Sequence, residues 1–199
     1  MKRVLAKSPC QPSMAGMRVI GAFLAFALSI AAGPAFADQS DPRLDRLFQQ
    51  LAKATTPPEA QGIERDIEML WLKSGSDTVD VLMTRAQQSV EAQDAATAKK
   101  LLDAVTEMKP GYAEVWYQRA SLLISMDSAQ EAVPDLQKAI ELEPRHFRAL
   151  ALAGKIAEDA GDKRAALATY RRAVAVNPQL EAIKRKISAL AAAVEGKDI

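Results

Sequence analysis

Three prolines stand 34 residues apart in the second half of the chain: Pro110, Pro144 and Pro178. When residues 79–112, 113–146 and 147–180 are aligned on these prolines, small residues share columns and so do large apolar residues. The columns are Leu82, Trp116 and Leu150; Ala86, Ala120 and Gly154; Ala98, Ala132 and Ala166; Leu102, Leu136 and Tyr170; and Val105, Ala139 and Ala173. A chain that repeats one unit at a fixed period stacks similar modules and buries its core between neighbours.

The column spacing predicts that each unit is two helices joined by a tight turn. Columns recur every three or four residues within each half of a unit, which is the spacing of one helical face. Polar and turn-forming pairs separate the halves: Gln93-Asp94, Asp127-Ser128 and Gly161-Asp162. Small residues let two helices approach closely, and large residues fill the gap to the next unit. The predicted fold is therefore all-α, an α-solenoid of stacked antiparallel helix pairs with capping helices.

This pattern resembles the tetratricopeptide repeat, whose units have the same length, fixed small and large positions and a final proline. The second unit matches at Trp116, Ala120, Ala132, Leu136, Ala139 and Pro144. The third matches at Gly154, Ala166, Tyr170, Ala173 and Pro178, and the first, more weakly, at Ala86, Ala98, Leu102 and Pro110. Departures from the family pattern are Arg85 and Arg119 in place of leucine, and Ser89 and Ala157 in place of tyrosine. The resemblance implies that the α-solenoid is right-handed and that it is a scaffold that holds a protein or peptide.

Further helices flank the three units. Residues 38–78 are predicted to form an N-terminal helical pair, which we interpret as a degenerate fourth repeat capping the stack. Residues 181–199 are predicted to form a C-terminal capping helix with a frayed end, because a repeat stack needs a terminal helix with one polar face. The apolar face of that helix comprises Leu180, Ile183, Ile187, Leu190 and Val194.

Residues 1–37 have the layout of a secretory signal peptide. A basic start is followed by the uncharged, mostly apolar segment 19–32, the helix-breaking pair Gly33-Pro34 and the small-residue site Ala35-Phe36-Ala37. We therefore expect an exported, periplasmic bacterial protein without a membrane span after cleavage. An uncleaved inner-membrane anchor is the alternative, because the uncharged stretch approaches the length of about 20 residues that a spanning helix needs. Translation starting at Met1, Met14 or Met17 stays open.

The composition disfavours several classes of function. One His and one Cys leave little material for a metal site or a nucleophilic triad, so we expect no cofactor, no metal and no enzyme activity. The net charge of +1 argues against nucleic acid as a partner. His146 is expected in the turn between two units, either facing solvent or packed there. Trp71 and Trp116 are expected in the core.

The remaining functional prediction is a surface. The first helix of each unit lines the concave side of such a stack, so its residues outside the packing columns face a partner. The candidate residues of this groove are Met83, Gln87, Val90, Tyr117, Ser121, Ile124, Arg148 and Lys155. Relatives that hold a peptide carboxylate use lysine and asparagine where this chain has Met83 or Tyr117, and Gln87 or Ser121. We therefore expect a scaffold or assembly factor that binds an apolar-anchored protein segment. The alternative is a membrane-anchored structural or regulatory subunit of an envelope complex.

Overall fold

The computed structural model describes residues 41–196, which form nine α-helices and no strand. The predicted signal peptide lies outside the described residues. The helices are α1 Pro42–Lys53, α2 Pro57–Trp71, α3 Asp77–Glu91, α4 Ala95–Met108, α5 Ala113–Ser125, α6 Ala129–Leu142, α7 Phe147–Asp159, α8 Lys163–Val176 and α9 Glu181–Glu195. No helix in this range is long and apolar enough to cross a membrane.

Three helix pairs, α3–α4, α5–α6 and α7–α8, form the repeated units, and consecutive pairs pack on each other. The small residues Ala98, Ala132 and Ala166 are fully buried where the second helix of each pair meets the first. The large column that contains Leu102 and Leu136 is buried beside them. The all-α solenoid of helix pairs is thus confirmed. One column differs from expectation, since Leu82 and Trp116 are only half-buried whereas Leu150 is buried.

The turn inside each pair repeats at the level of the backbone. Gln93, Asp127 and Gly161 are 34 residues apart, and their φ angles are 60°, 58° and 81°. A left-handed residue at this position reverses the chain tightly, although it costs a non-glycine residue about 1 kcal/mol. In the first and third units the side chain of the next residue caps the second helix, since Asp94 accepts a hydrogen bond from the Thr97 amide and Asp162 from the Ala165 amide. Ser128 of the second unit makes no such hydrogen bond.

Arg119, which replaces the usual leucine, is held by acidic partners. Its guanidinium donates to both carboxylate oxygens of the buried Asp135, at 2.7 and 2.6 Å, and to Asp103 of the preceding unit at 3.2 Å. It also lies 4.8 Å from the centre of the Trp116 ring. The hydrogen bonds from Arg119 to Asp135 raise the pKa of the guanidinium. This departure from the family pattern therefore links two units by charge where leucine would link them by packing.

At two packing columns the third unit differs from the first two, with a smaller residue in the small column and a larger one in the large column. Gly154 replaces alanine, and the fully buried Tyr170 replaces leucine. A Cβ atom on Gly154 would lie 2.6 Å from the ring carbons Cδ1 and Cε1 of Tyr170. The glycine therefore makes the space that the tyrosine ring occupies. The Tyr170 hydroxyl donates to Glu158 at 2.8 Å, which anchors the ring.

Helix α9 closes the C-terminal end of the stack. Its apolar residues Ile183, Ile187 and Leu190 pack against α8 around Leu167 and Tyr170. Its polar side contributes ion pairs back to the third unit, Lys186 with Glu158 and Arg171 with Glu195. The expected capping helix is thus present, with one face buried and the other in solvent.

The N-terminal hairpin, formed by α1 and α2, packs across the stack. Its core residues Leu44, Phe48 and Trp71 form one apolar cluster with Phe147 at the start of α7. Val176 and Leu180, at the α8–α9 turn, pack against the same cluster. A pair stacked only on α3 and α4 as a fourth unit would not reach the start of α7 and the α8–α9 turn. The contacts therefore place the hairpin along the second and third units, a position that the sequence interpretation of a degenerate repeat did not anticipate.

We predict that Gly154→Ala destabilises the protein by about 1 kcal/mol, because overpacking a core costs about 2 kcal/mol, in the middle of its usual range, and the gain in helix propensity offsets about 1 kcal/mol. Urea unfolding followed by circular dichroism measures the difference. The double variant Gly154→Ala with Tyr170→Leu restores the alanine–leucine pair of the first two units and should recover part of the loss. A single variant as stable as the wild type would contradict the close approach.

Candidate partner-binding groove

The residue before the first helix of each successive unit forms a row that the N-terminal hairpin covers. This row, here called the turn edge, comprises Tyr112, His146 and Leu180, which precede α5, α7 and α9 at intervals of 34 residues. The Tyr112 hydroxyl donates to the backbone carbonyl of Trp71 at 2.8 Å. His146 stacks on the Trp71 indole, with ring centres 4.3 Å apart and planes 18° apart. The hairpin thus uses equivalent positions of consecutive units.

Polar contacts extend this attachment beyond the rings. The Asn177 amide donates to Glu64 of α2 at 2.5 Å, and the Gln179 amide donates to the Ala54 carbonyl at 2.8 Å. At the other end of α1, Arg145 pairs with Asp45 at 2.6 Å and lies over the Phe48 ring. Buried ring packing and side-chain hydrogen bonds therefore hold the hairpin against the repeats.

His146 is fully buried, and its two ring nitrogens have separate roles. Nδ1 accepts a hydrogen bond from the Ala149 amide at 3.2 Å and so caps α7. Because Nδ1 accepts, the proton of the neutral ring lies on Nε2, which donates to Glu114 at 3.1 Å. The ring is also 4.7 Å from that of Tyr117. Of the two positions expected for this residue, the structure shows the packed one.

The N-terminal parts of α5 and α7 lie against α2 next to the His146 ring. Arg148 pairs with Glu68 of α2 at 3.1 Å, and its guanidinium lies 4.9 Å from the centre of the Tyr117 ring. Burial raises the pKa of the Tyr117 hydroxyl. Helix α2 therefore covers part of the inner face that the first helices of the units present.

The part of the inner face that α2 leaves uncovered forms a groove with two cavities. The first cavity, of about 590 Å³, lies between the end of α2 and the inner sides of α3, α5 and α7. The second cavity, of about 260 Å³, lies between α3, α5 and the first turn of α7. Gln87, Gln118 and Arg148 line both, so the two cavities form one continuous groove. Helix α2 is thus one wall of it.

The eight residues predicted from the sequence fall into different places. Gln87 and Arg148 line both cavities, and Met83 lines the first. Val90, Tyr117 and Ser121 line the second. Ile124 and Lys155 line neither. Ile124 is half-buried against the packing cluster of the second and third units, and Lys155 pairs with Asp159 of its own helix at 2.5 Å.

Two of the predicted residues are more enclosed than expected. Met83 is 4% exposed because it packs in the apolar cluster around α3 and α4, and Tyr117 is 8% exposed beside the His146 ring. They can shape the groove but offer little free surface to a partner. The predicted residues that line the groove and are exposed are Gln87, Val90, Ser121 and Arg148, the last of which is paired with Glu68.

The sequence analysis missed the contribution of α2 to the groove. Glu68 and Leu72 line the first cavity from outside the three aligned units. Gln88 and Gln118 line it from the units themselves, at positions the column count left out. A signal for the hairpin contact was present in the spacing, because Tyr112, His146 and Leu180 form a further column of large residues. Within residues 41–196, no group of three or more His, Cys, Asp or Glu side chains is placed to hold a metal ion.

Comparison with known proteins identifies the family. The tetratricopeptide repeat model matches residues 113–146 and 147–180. A TPR repeat-containing protein from Rhizobium etli is 32% identical over 154 residues, which is 77% of this chain and 76% of that protein. The chain therefore belongs to the tetratricopeptide repeat family.

Solved structures share the fold. The type III secretion chaperone SycD of Yersinia enterocolitica, in complex with a peptide of the translocator YopD, has a TM-score of 0.53 at 15% identity and covers 60% of this chain and 94% of its own. The first TPR of Spaghetti (RPAP3), bound to the HSP90 peptide SRMEEVD, has a TM-score of 0.55 at 15% identity, covering 59% and 93%. MamA of Desulfovibrio magneticus RS-1 has a TM-score of 0.53 at 15% identity, covering 77% and 85%.

We predict that His146→Ala lowers the free energy of unfolding by about 2–4 kcal/mol, because it removes a helix cap, a buried ring stack and a hydrogen bond to the buried Glu114. Urea unfolding measures the loss. His146→Asn keeps an acceptor for the Ala149 amide and should recover about 1 kcal/mol of it. Wild-type stability for both variants would show that the ring does not join the hairpin to the stack.

Proposed function

We propose that this protein is a scaffold or assembly factor that binds a segment of a partner protein in the groove between α2 and the inner sides of α3, α5 and α7. The observation that carries the proposal is the groove itself, which is open to solvent and lined by side chains from four different helices. The solved complexes of the same fold with peptides of YopD and HSP90 support it by likeness of fold.

We assign no catalytic activity to the chain. The single His is enclosed by Trp71, Tyr117 and Glu114, where it caps a helix. Its ring nitrogens are both occupied by structural hydrogen bonds, so it is not placed to exchange protons with a substrate. The exposed groove positions Gln87, Val90 and Ser121 suit contact with a peptide better than chemistry on one.

A groove variant tests the proposal. Ser121→Trp fills the second cavity from an exposed helix position, so the fold should survive while the partner is excluded. Gln130→Trp on α6 is a control at an exposed position that lines neither cavity. Crosslinking in the native envelope, followed by mass spectrometry, should capture a partner with the wild type and the control but lose it with Ser121→Trp. Equal capture by both variants would move the binding site away from this groove.

We also propose that the protein works in the bacterial periplasm after removal of residues 1–37. The basic start, the short apolar segment and the Ala35-Phe36-Ala37 site support export. The alternative is a membrane-anchored subunit of an envelope complex that keeps this segment.

N-terminal sequencing of the protein purified from cells distinguishes the two locations. Cleavage after Ala37 predicts a mature chain that begins at Asp38 and is released with the periplasmic fraction. An intact N-terminus in the membrane fraction would contradict cleavage and favour the anchored alternative. Either outcome leaves the groove proposal to be judged by its own experiment.

A further inference from the structure

The charges that line the first cavity are unequal. Four carboxylates face it, from Glu68, Asp80, Glu91 and Glu114, and the one cationic side chain among its lining residues is Arg148. That guanidinium is paired with Glu68 at 3.1 Å and lies over the Tyr117 ring. Its charge is therefore already matched within the groove.

The other three carboxylates have hydrogen-bond partners that do not cancel their charge. Asp80 accepts from the amide and hydroxyl of Ser74, at 2.8 and 2.5 Å. Glu91 accepts from the Gln87 amide at 3.1 Å. Glu114 accepts from the Gln118 amide at 2.9 Å and from the neutral ring of His146. Neutral donors bring no positive charge to these carboxylates, so this part of the groove keeps a negative potential.

Apolar and amide groups accompany these charges. Leu72, which is 41% exposed, and Met83 of α3 line the first cavity. Val90 lines the second cavity and is 40% exposed. The amides of Gln87 and Gln118 border both cavities, where they can pair with the backbone of an extended segment. The occupant that fits has apolar anchors with positive charges between them.

We propose that the groove selects a cationic segment of the partner, one with Lys or Arg beside an apolar anchor. The inference rests on the proposed function, since it names the chemistry of the segment bound at the same site. Carboxylates within a confined cavity attract such a segment and repel an acidic one. An acidic peptide such as SRMEEVD, which Spaghetti (RPAP3) binds, should therefore be rejected by this chain.

A random-sequence peptide library displayed on phage tests the proposal without knowledge of the natural partner. The library is selected on the full chain and counter-selected on Ser121→Trp, so that the retained peptides depend on the groove. We expect Lys and Arg to exceed Asp and Glu among those peptides, and SRMEEVD to show no binding by fluorescence anisotropy.

Two matched charge reversals then test the strongest selected peptide. Glu91→Lys changes the last residue of α3 within the first cavity, and Glu107→Lys changes the last turn of α4 away from it. A lysine is well tolerated near a helix C-terminus, so both variants should fold. We expect Glu91→Lys to weaken binding about tenfold or more and Glu107→Lys to change it by less than about twofold. Added salt should weaken wild-type binding.

The outcomes separate the two claims. Groove-dependent peptides that are neutral or acidic, or equal effects of the two reversals, would overturn the cationic preference while leaving the groove as a binding site. If no peptide is retained that depends on Ser121, both the cationic preference and the proposed groove function fall.

Discussion

The stack of Trp71 on His146 determines how the rest of this chain is arranged. The ring of His146 sits at the junction of the second and third units, and Trp71 ends the helix that folds back onto that junction. Because the two rings are buried face to face, the N-terminal hairpin packs firmly on the repeats. Through this contact α2 becomes a wall of the groove, and Glu68 and Leu72 enter its lining.

The 34-residue repeat explains why one hairpin can pack against two consecutive units. Equivalent residues of a stack lie in a row, so a helix that fits the turn before α5 also meets the turns before α7 and α9. The Tyr112 hydroxyl donates to the backbone of α2, and His146 stacks on Trp71 at the end of that helix. Leu180 packs against the apolar cluster of the hairpin. Each contact uses a different interaction, because these positions differ in residue type from unit to unit.

Much of the fold could be predicted because its determinants are local and periodic. The small columns, the paired turn residues and the closing prolines fix the helix pairs and the packing between them. Gly154 and Tyr170 lie in the predicted small and large columns, but the close approach between them is seen only in the structure. The position of the hairpin could not be predicted, because it depends on contacts between residues far apart in the chain, such as Trp71 with His146 and Asn177 with Glu64.

The groove was predictable only in part, for the same reason. Counting along the first helices finds Gln87 and Ser121, whose side chains are set by helix phase. The same count also selects Tyr117 and Lys155 as residues that face a partner. In the structure His146 covers Tyr117, and Lys155 pairs with a residue of its own helix. The count cannot supply Glu68, since that residue comes from outside the repeats. The acidic character of the groove comes from Asp80, Glu91 and Glu114 of the repeats, because Glu68 on the added wall pairs with Arg148.

The most direct test is the nuclear Overhauser spectrum of the folded protein. His146 is the only histidine in the chain, so its ring protons can be assigned without ambiguity. Stacking at 4.3 Å predicts cross-peaks between these protons and the Trp71 indole, with the histidine resonances shifted upfield by the indole ring. Histidine signals at exposed-residue positions, without any cross-peak to Trp71, would contradict the docked hairpin and the groove that it forms.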